Sequence, residues 1–254
     1  MRAFEDSPDL REARIPTGHH ELHLPWSQLT TLGGNHISRE ILLEIPNLVE
    51  LDFFRDFDVV VFPNQTTRLL SLKRLRVVCG DSLEWLEAPH LESLHMSRSR
   101  CFEQRPTDMY MIHSLVRRSG CNLRSLSLSG MNVGGDAESL EGLVVGIPSL
   151  LRLELENCDV IWTLLSGIVA PTDKSRRLPD IQHFTVTFGQ EDSPGHLESS
   201  TVDLLEFLST AGEGVSCLLS AQLLNVVISV EGENRLLHLK KNGLRVLHGK
   251  RLWQ

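Results

Sequence analysis

One short segment of the chain carries side chains that could bind a metal ion. Residues 19–23 read His-His-Glu-Leu-His, and imidazole and carboxylate groups are common ligands of zinc. Their order is not H-E-x-x-H, the pattern that places two histidines on one face of a helix. Apolar Leu22 and Leu24 alternate with Glu21 and His23, which predicts a strand with His23 facing water. We therefore expect no metal site and no cofactor.

Other catalytic patterns are also missing from the sequence. It contains neither the G-x-S-x-G nucleophile turn nor the G-x-x-x-x-G-K-[ST] phosphate loop. Gly33-Gly34 and Gly134-Gly135 lack the flanking strand and helix that a nucleotide site needs. We assign no catalytic residues, and an uncharacterised enzymatic activity is a remote alternative.

The dominant pattern of the chain is a recurring apolar spacing at positions 1, 4 and 6, which we call a frame. Similar phrases introduce four of the frames, such as Ile-Pro-Asn-Leu at 45–48 and Ile-Pro-Ser-Leu at 147–150. The eight frames are Leu10-Ala13-Ile15, Leu29-Leu32-Gly34, Leu48-Leu51-Phe53, Leu72-Leu75-Val77, Leu91-Leu94-Met96, Leu123-Leu126-Leu128, Leu150-Leu153-Leu155 and Ile181-Phe184-Val186.

The frames resemble the L-x-x-L-x-L core of leucine-rich repeats. Their first positions lie 19 to 32 residues apart, so the repeats are irregular. The longer steps leave room for a strand followed by a helix, an alternation that favours a parallel sheet covered by helices. We predict an α/β fold, an irregular leucine-rich-repeat solenoid with a curved parallel sheet on its concave face and helices and loops on its convex face.

We expect a single domain over residues 1–254, with frames from about 7 to 190 and an atypical C-terminal capping unit at about 197–250. In this capping unit we predict that the frame is lost, with a helix at 201–211, a strand at 221–230, a helix at 234–241 and a strand at 244–247. Between the frames, N-capping residues and terminating glycines or prolines predict further helices. The first follows Ser38. The second opens at Thr107-Asp108 and ends before Gly120. The third starts at Asp136, and the fourth runs from 160 to 170.

Charge and composition favour a protein partner. The net charge of −8 is uneven, since residues 1–60 and 131–230 are acidic whereas 61–130 and 231–254 are basic. Such alternation suits the orientation of a protein partner. Nucleic-acid binding would need a continuous basic stripe with interleaved aromatic residues, so we expect no nucleic acid.

Localisation and cysteine use point to the cell interior. The chain has no apolar run of membrane-spanning length and no signal-peptide pattern at its start. We expect no membrane association and an intracellular protein, cytoplasmic or nuclear. The five cysteines are widely separated, so we expect them to be reduced, with Cys158 in the core at the turn that leaves a strand.

The repeat phrases resemble the leucine-rich-repeat region of fungal F-box-type proteins, above all the basidiomycete family. The resemblance rests on residues 45–51, 120–128, 147–155 and 236–246 and spans about 7–248. It implies a substrate receptor, whose F-box binds the Skp-type adaptor of a cullin ubiquitin ligase while the repeats hold the target. Residues 1–9 are too short for an F-box, so an adaptor is expected only if such a motif lies upstream.

A partner would bind where the strands present outward side chains beside the second and third frame positions. We therefore predict a protein–protein interaction module; the alternatives are a repeat-only scaffold without a link to ubiquitin ligation and a solvated face without a ligand. Phe54, Trp26 and Trp85 could anchor a partner, although packing in the core is the expected role of each tryptophan. The predicted partner-binding residues are Glu50, Asp52, Phe54, Arg74, Arg76, His95, Ser127, Arg152, Glu154, Glu156 and His183.

Overall fold

The computed structural model is a mixed α/β structure that divides into two compact units, residues 1–123 (unit 1) and 124–254 (unit 2). The structure describes residues 7, 9–15, 24–35, 37–53, 66–78, 80–97, 108–130, 144, 146–158, 180–187, 202, 205–206, 209, 218–224, 228 and 230–249.

Unit 1 contains parallel strands that lie side by side in the order β1, β2, β3, β5, β7, and a separate parallel pair, β4 with β6. Each strand of the larger set begins two residues after the first apolar position of a frame. Its strands are β1 (Glu12–Ile15), β2 (Thr31–Gly34), β3 (Glu50–Phe53), β4 (Thr67–Arg68), β5 (Arg74–Val77), β6 (Leu86–Glu87) and β7 (Ser93–Ser97).

Unit 2 contains five parallel strands in chain order within the described residues. Parallel neighbours need a crossover segment between them. The strand starts lie 27 to 37 residues apart in the first three pairs and 25 residues apart in the last pair, which leaves room for such a segment in each case. The strands are β8 (Ser125–Ser129), β9 (Arg152–Glu156), β10 (His183–Thr187), β11 (Ser220–Leu224) and β12 (Arg245–Gly249).

Three helices have described bounds: α1 (Arg39–Leu43) and α2 (Asp108–Ser119) in unit 1 and α3 (Val230–Lys241) in unit 2. Short 3₁₀ turns cover Trp26–Gln28 and Gly80–Leu83. The predicted N-cap of α1 is confirmed, because the Ser38 side chain accepts a hydrogen bond from the N–H of Ile41 at 3.4 Å. Hydrogen bonds from its own backbone N–H and from Ser38 lower the pKa of Glu40.

Gly120 ends α2 as predicted, with a φ of 58° that favours glycine. None of the helices in the described ranges is long and apolar enough to cross a membrane.

The register aligns equivalent frame positions across each set of strands. In unit 1 the second positions form one row, Ala13, Leu32, Leu51, Leu75 and Leu94. In unit 2 the corresponding row begins Leu126, Leu153, Phe184 and continues into β11 and β12. All three positions of the frames starting at Leu48, Leu72, Leu91, Leu123, Leu150 and Ile181 are at most 2% exposed. Burial of each such leucine contributes roughly 1.5–3 kcal/mol, so the frames form the core.

A repeated backbone contact joins consecutive frames. The carbonyl that follows the first frame position accepts two N–H groups from the next frame. The Arg11 carbonyl, for example, accepts from Thr30 at 2.8 Å and from Thr31 at 3.1 Å. The carbonyls of Thr30, Val49, Lys73, Arg124, Leu151 and Gln182 each do the same. The same junction therefore recurs in both units at a fixed position in the frame.

This backbone contact reveals a frame that the sequence interpretation missed. Leu219 and Ser220 donate to the Gln182 carbonyl at 2.8 and 3.0 Å, which makes Leu218 a first frame position. Leu218-Ala221-Leu223 has the frame spacing, and the three residues are 3%, 1% and 0% exposed. The expectation that the frame is lost after residue 190 was therefore wrong.

The predicted boundaries at the C-terminus also need correction. The strand expected over 221–230 is Ser220–Leu224, and Val230 is instead the first residue of α3. The helix expected at 234–241 therefore begins four residues earlier. Glu231 and Glu233 lie in its first turn, where the helix dipole favours acids. The predicted final strand is confirmed as β12, following a turn in which Gly243 has a φ of 100°.

Polar contacts hold the connecting segments in unit 1. The Arg118 guanidinium on α2 donates to the carbonyls of Leu83 at 2.6 Å and Leu86 at 2.7 Å. The adjacent hydroxyl of Ser119, which is buried, accepts from the N–H of Ala88 at 2.9 Å. Burial raises the pKa of the Cys121 thiol, which follows α2. These contacts satisfy backbone groups that would be costly to bury without a partner.

In unit 2 an ion pair and a thiol also make polar contacts. Arg235 on α3 donates to both carboxylate oxygens of Glu206, at 2.8 and 2.6 Å. Cys158 is 3% exposed and its thiol donates to the Leu128 carbonyl at 3.3 Å, which confirms the prediction that it lies in the core. Cys121 and Cys158 are both free thiols.

Several predictions fall outside the described residues. They concern the segment at 19–23, most of the helices expected from Asp136 and at 160–170, Phe54, and the remaining cysteines. Within the expected helix 201–211, Val202 and Leu205 are helical and buried.

Candidate protein-binding surface

The strands of both units alternate between buried and solvent-facing side chains. The burial pattern of β7, β8 and β9 switches at every residue, as period-two strand geometry requires. We call the solvent-facing residues of β1, β2, β3, β5 and β7 the unit 1 face and those of β8 to β12 the unit 2 face. The unit 1 face comprises Glu12, Arg14, Thr31, Glu50, Asp52, Arg74, Arg76, Ser93, His95 and Ser97. The unit 2 face comprises Ser125, Ser127, Ser129, Arg152, Glu154, Glu156, His183, Thr185, Ser220, Gln222, Leu224, Arg245 and Leu247.

On the unit 1 face, opposite charges meet across neighbouring strands. Glu50 lies opposite Arg74 in the register, and Asp52 lies opposite Arg76. Arg74 donates to Oε1 of Glu50, and Arg76 donates to Oδ2 of Asp52 at 3.2 Å. The hydrogen bond to Glu50 raises the pKa of Arg74 above its ordinary value. The register therefore decides these two pairs.

A third pair lies within β1, where Glu12 and Arg14 are two residues apart on the same side of the strand. Their charged groups approach to 3.3 Å. With this pair, each carboxylate and guanidinium of the unit 1 face has an opposite charge as its partner. At this exposure each pair is worth about 0–1 kcal/mol, but together they neutralise the face.

Asp52 differs from Glu50 in one respect. Its side chain is 23% exposed whereas that of Glu50 is 40% exposed. Oδ1 of Asp52 is buried and has no hydrogen-bond partner. The carboxylate of Asp52 therefore depends on Arg76 more than that of Glu50 depends on Arg74, because water compensates a buried charge less well.

Three charged residues of the unit 2 face, Arg152, Glu154 and Arg245, do not pair with each other. Arg152 and Glu154 are two residues apart on β9 and face the same way, with the same spacing as Glu12 and Arg14. Within the described part of the chain, no carboxylate lies within ion-pair distance of Arg152 or Arg245, and no basic group lies that close to Glu154. These three charges therefore remain available to solvent or to a partner.

Hydroxyl groups surround the charges of the unit 2 face. Glu154 lies between Ser127 and Thr185 in the register, and Arg152 lies between Ser125 and His183. Short hydroxyl side chains leave the longer charged ones standing above their neighbours, which favours contact with a second molecule.

A hydrogen bond on this face already joins His183 and Ser220. Nδ1 of His183 lies 2.7 Å from Oγ of Ser220, the register neighbour of His183 on β11. The row continues from Ser220 to Arg245 on β12. The arrangement holds the imidazole ring beside Ser220, so that its other nitrogen is the one left for a further contact.

The predicted partner-binding residues are placed as follows. Glu50, Asp52, Arg74, Arg76 and His95 lie on the unit 1 face. The residues Ser127, Arg152, Glu154, Glu156 and His183 lie on the unit 2 face.

The two tryptophans lie next to the core. Trp85 is half-buried, and its ring meets the Phe53 ring edge-on at a centroid distance of 6.4 Å. Trp26 is half-buried in a 3₁₀ turn. Contact with Phe53 accounts for Trp85 as a packing residue.

Outward residues that the sequence interpretation missed lie on β11 and β12: Ser220, Gln222 and Arg245. The signal for β11 was present, because Leu218-Ala221-Leu223 repeats the spacing of Leu10-Ala13-Ile15. Leu247 on β12 is a 66% exposed apolar residue on the same face.

Within the described ranges, no three His, Cys, Asp or Glu side chains are grouped so that they could hold a metal ion. Comparison of the sequence with protein-family models and with curated proteins finds no match.

Proposed function

We propose that this chain is a protein–protein interaction module built as an irregular leucine-rich-repeat solenoid, with its partner-binding surface on the outward faces of its strands. The observation that carries this proposal is the register, which aligns each frame with the next and places polar side chains in rows beside the buried leucines. Repeats of this kind share one core between neighbours and leave a broad ordered surface.

Two further features support the proposal. The recurring carbonyl that accepts two N–H groups links successive frames in the same way, as expected of repeats. The outward rows carry charged groups of both signs, which suits the orientation of a protein partner. We propose that this protein is intracellular, consistent with the free thiols of Cys121 and Cys158.

The resemblance to F-box-type receptors extends the proposal to ubiquitin ligation. In that case the partner is a substrate, and a longer form with an upstream F-box binds the Skp-type adaptor. A repeat-only scaffold would bind a partner through the same surface without adaptor or cullin. The two possibilities share the surface and differ in the proteins recovered with it.

Site-specific photo-crosslinking tests the surface. Gln222 on the unit 2 face would be replaced by photoreactive benzoylphenylalanine, and His238, exposed on α3 of the same unit, would serve as the control position. We expect a crosslinked protein adduct from position 222 and none from position 238 in the native cell type. Adducts from position 238 alone would contradict the proposed surface.

Mass spectrometry of the purified adduct then separates the two possibilities. Adaptor and cullin that copurify with a longer form carrying the upstream motif, together with the same adduct at position 222, would support a ligase receptor. The same adduct without adaptor or cullin in either form would support a repeat-only scaffold.

A further inference from the structure

We propose that the unit 2 face binds a protein segment that presents one carboxylate and one cationic side chain about 7 Å apart, with the carboxylate over Arg152 and the cation over Glu154. This inference rests on the proposed function, since it names the chemistry of the partner for the same surface. It concerns residues 152 and 154 on β9 and their neighbours on β8 and β10.

Strands β1 and β9 carry the same arrangement of charges but differ in whether these charges form an ion pair. On β1, Glu12 and Arg14 turn toward each other and meet at 3.3 Å. On β9, Arg152 and Glu154 have the same spacing and the same side of the strand, but their charged groups do not form an ion pair. The charges of β9 are therefore available to opposite charges from outside the chain.

The strand imposes a geometry on the two charged residues. Residues two apart on one side of a strand are separated by about 6.6 Å. A partner matches this separation with side chains at i and i+2 of an extended segment, or at i and i+4 of a helix, where neighbours lie about 5–6 Å apart. The partner must carry its acid and base in this spacing to satisfy both residues.

Neighbours on β8 and β10 surround the two charges. Ser127 and Thr185 flank Glu154, and Ser125 and His183 flank Arg152, so hydroxyl and imidazole groups border these charges. Arg245 adds a second unpaired cation to the Arg152 row, about 14 Å away across three strand spacings. The row that contains Arg152 is therefore basic, and the next row along the strands is acidic at Glu154. Such a dipolar face fixes the orientation of a bound segment.

The test uses a library of random twelve-residue peptides displayed on phage and selected on the purified full-length chain. A parallel selection uses the double variant Arg152→Glu/Glu154→Arg, which keeps the net charge. The matched control is Glu12→Arg/Arg14→Glu on β1, which exchanges the charges of a pair that already satisfies itself. Thermal melting monitored by circular dichroism verifies that all three proteins are folded.

We expect the unmodified chain and the β1 control to select peptides with an acidic and a basic residue two or four positions apart. These peptides should bind the β9 double variant about tenfold more weakly or worse in fluorescence anisotropy, because each contact becomes repulsive. The single variants Arg152→Gln and Glu154→Gln should each weaken binding about three- to fivefold, as expected for exposed charges.

Four outcomes would overturn the inference. Selected peptides without paired charges would show that binding does not depend on the charges of β9. Peptides that bind the β9 double variant and the unmodified chain with equal affinity would show the same. A selection that yields no binder dependent on residues 152 and 154 would do the same. A dimer in sedimentation that Arg152→Glu dissociates would assign the face to a second copy of the chain. In every case except the dimer, a crosslink at position 222 would still support the proposed function.

Discussion

The two outward faces of this protein have the same backbone geometry and differ in how they treat charge. On the unit 1 face, Glu50 pairs with Arg74 and Asp52 pairs with Arg76. On the unit 2 face, Arg152 and Glu154 stand beside hydroxyl groups and do not pair. The register neighbours make the difference, because β3 and β5 bring Glu50 opposite Arg74 and Asp52 opposite Arg76. The register neighbours of Arg152 and Glu154 on β8 and β10 carry no carboxylate and no guanidinium. One parallel set of strands therefore pairs the charges on its outward face, whereas the other leaves charges of both signs unpaired at Arg152 and Glu154.

A comparison of β1 with β9 shows whether the spacing of two charges along one strand is enough to make them pair. Glu12 and Arg14 pair whereas Arg152 and Glu154 do not, although both sets are two residues apart. Spacing along a strand is thus insufficient to predict an ion pair on an exposed face, where long side chains have many conformations of similar free energy.

The largest expected effect tests the assignment of faces on which the comparison depends. Leu126→Asp places a carboxylate in the core row of unit 2, where Leu126 is 0% exposed. We expect a loss of at least about 5 kcal/mol in the free energy of unfolding, which exceeds the margin of many domains. Circular dichroism should then show no cooperative thermal transition.

Ser125→Asp is the matched control, because residue 125 is adjacent in the chain but faces outward. It should melt close to the unmodified protein, helped by its register neighbour Arg152. A normal melting curve for Leu126→Asp, or a collapse for Ser125→Asp, would mean that the two faces are reversed.

The second prediction compares the third frame position in the two units. In unit 2 this row holds Leu155, and Leu155→Ala should cost about 2–5 kcal/mol by opening a cavity. In unit 1 the row holds Gly34, where an added Cβ would lie 2.8 Å from the Ile15 carbonyl oxygen and 3.2 Å from Cγ1 of Ile37. Gly34→Ala should therefore cost about 1–3 kcal/mol by overpacking.

Denaturant unfolding of both variants measures these costs. The second substitution Ile37→Val should leave most of the Gly34→Ala cost in place, because the tighter contact is with backbone. A stabilised Gly34→Ala variant would show that β1 and β2 can separate without loss.

The third prediction concerns the ion pairs of the unit 1 face. Arg76→Gln leaves the half-buried carboxylate of Asp52 without its charged partner, and should cost about 1 kcal/mol. Arg74→Gln should cost less than about 0.5 kcal/mol, because Glu50 is more hydrated.

A double-mutant cycle with Asp52→Asn isolates the pair in urea unfolding. The coupling between residues 52 and 76 should be larger than that between residues 50 and 74. Equal couplings would contradict the role assigned to the buried oxygen of Asp52.

The smallest expected effect lies on the unit 2 face. Arg152→Gln and Glu154→Gln should each change the free energy of unfolding by less than about 0.5 kcal/mol, because neither side chain has an ion-pair partner among the described residues. Thermal melting of both variants provides the measurement. A loss above about 1 kcal/mol in either would mean that these charges stabilise the fold, and would weaken the case for a binding role.

Much of the fold could be predicted because leucine spacing reports directly on burial. The frame starting at Leu48 predicts the strand at 50–53 and its buried residues. The Ser38 cap and the Gly120 terminus are equally local, since capping depends on residues within one helical turn.

The prediction failed where an apolar pattern was ambiguous. The β-branched run before Val230 predicts a strand, but tertiary packing ends β11 at Leu224 and starts α3 at Val230. The frame at Leu218 was missed although it repeats the spacing of Leu10-Ala13-Ile15, and Ala221 is 1% exposed beside Phe184 in the register.

By itself, the sequence determined which side chains face the core and which face outward, because strand geometry alternates with a period of two residues. It therefore placed Glu50, Arg74, Arg152 and Glu154 on outward positions. Only the tertiary structure decided which of these charges meet. Pairing depends on which residues lie opposite each other on neighbouring strands, and for Glu50 and Arg74 these come from positions 24 residues apart in the chain.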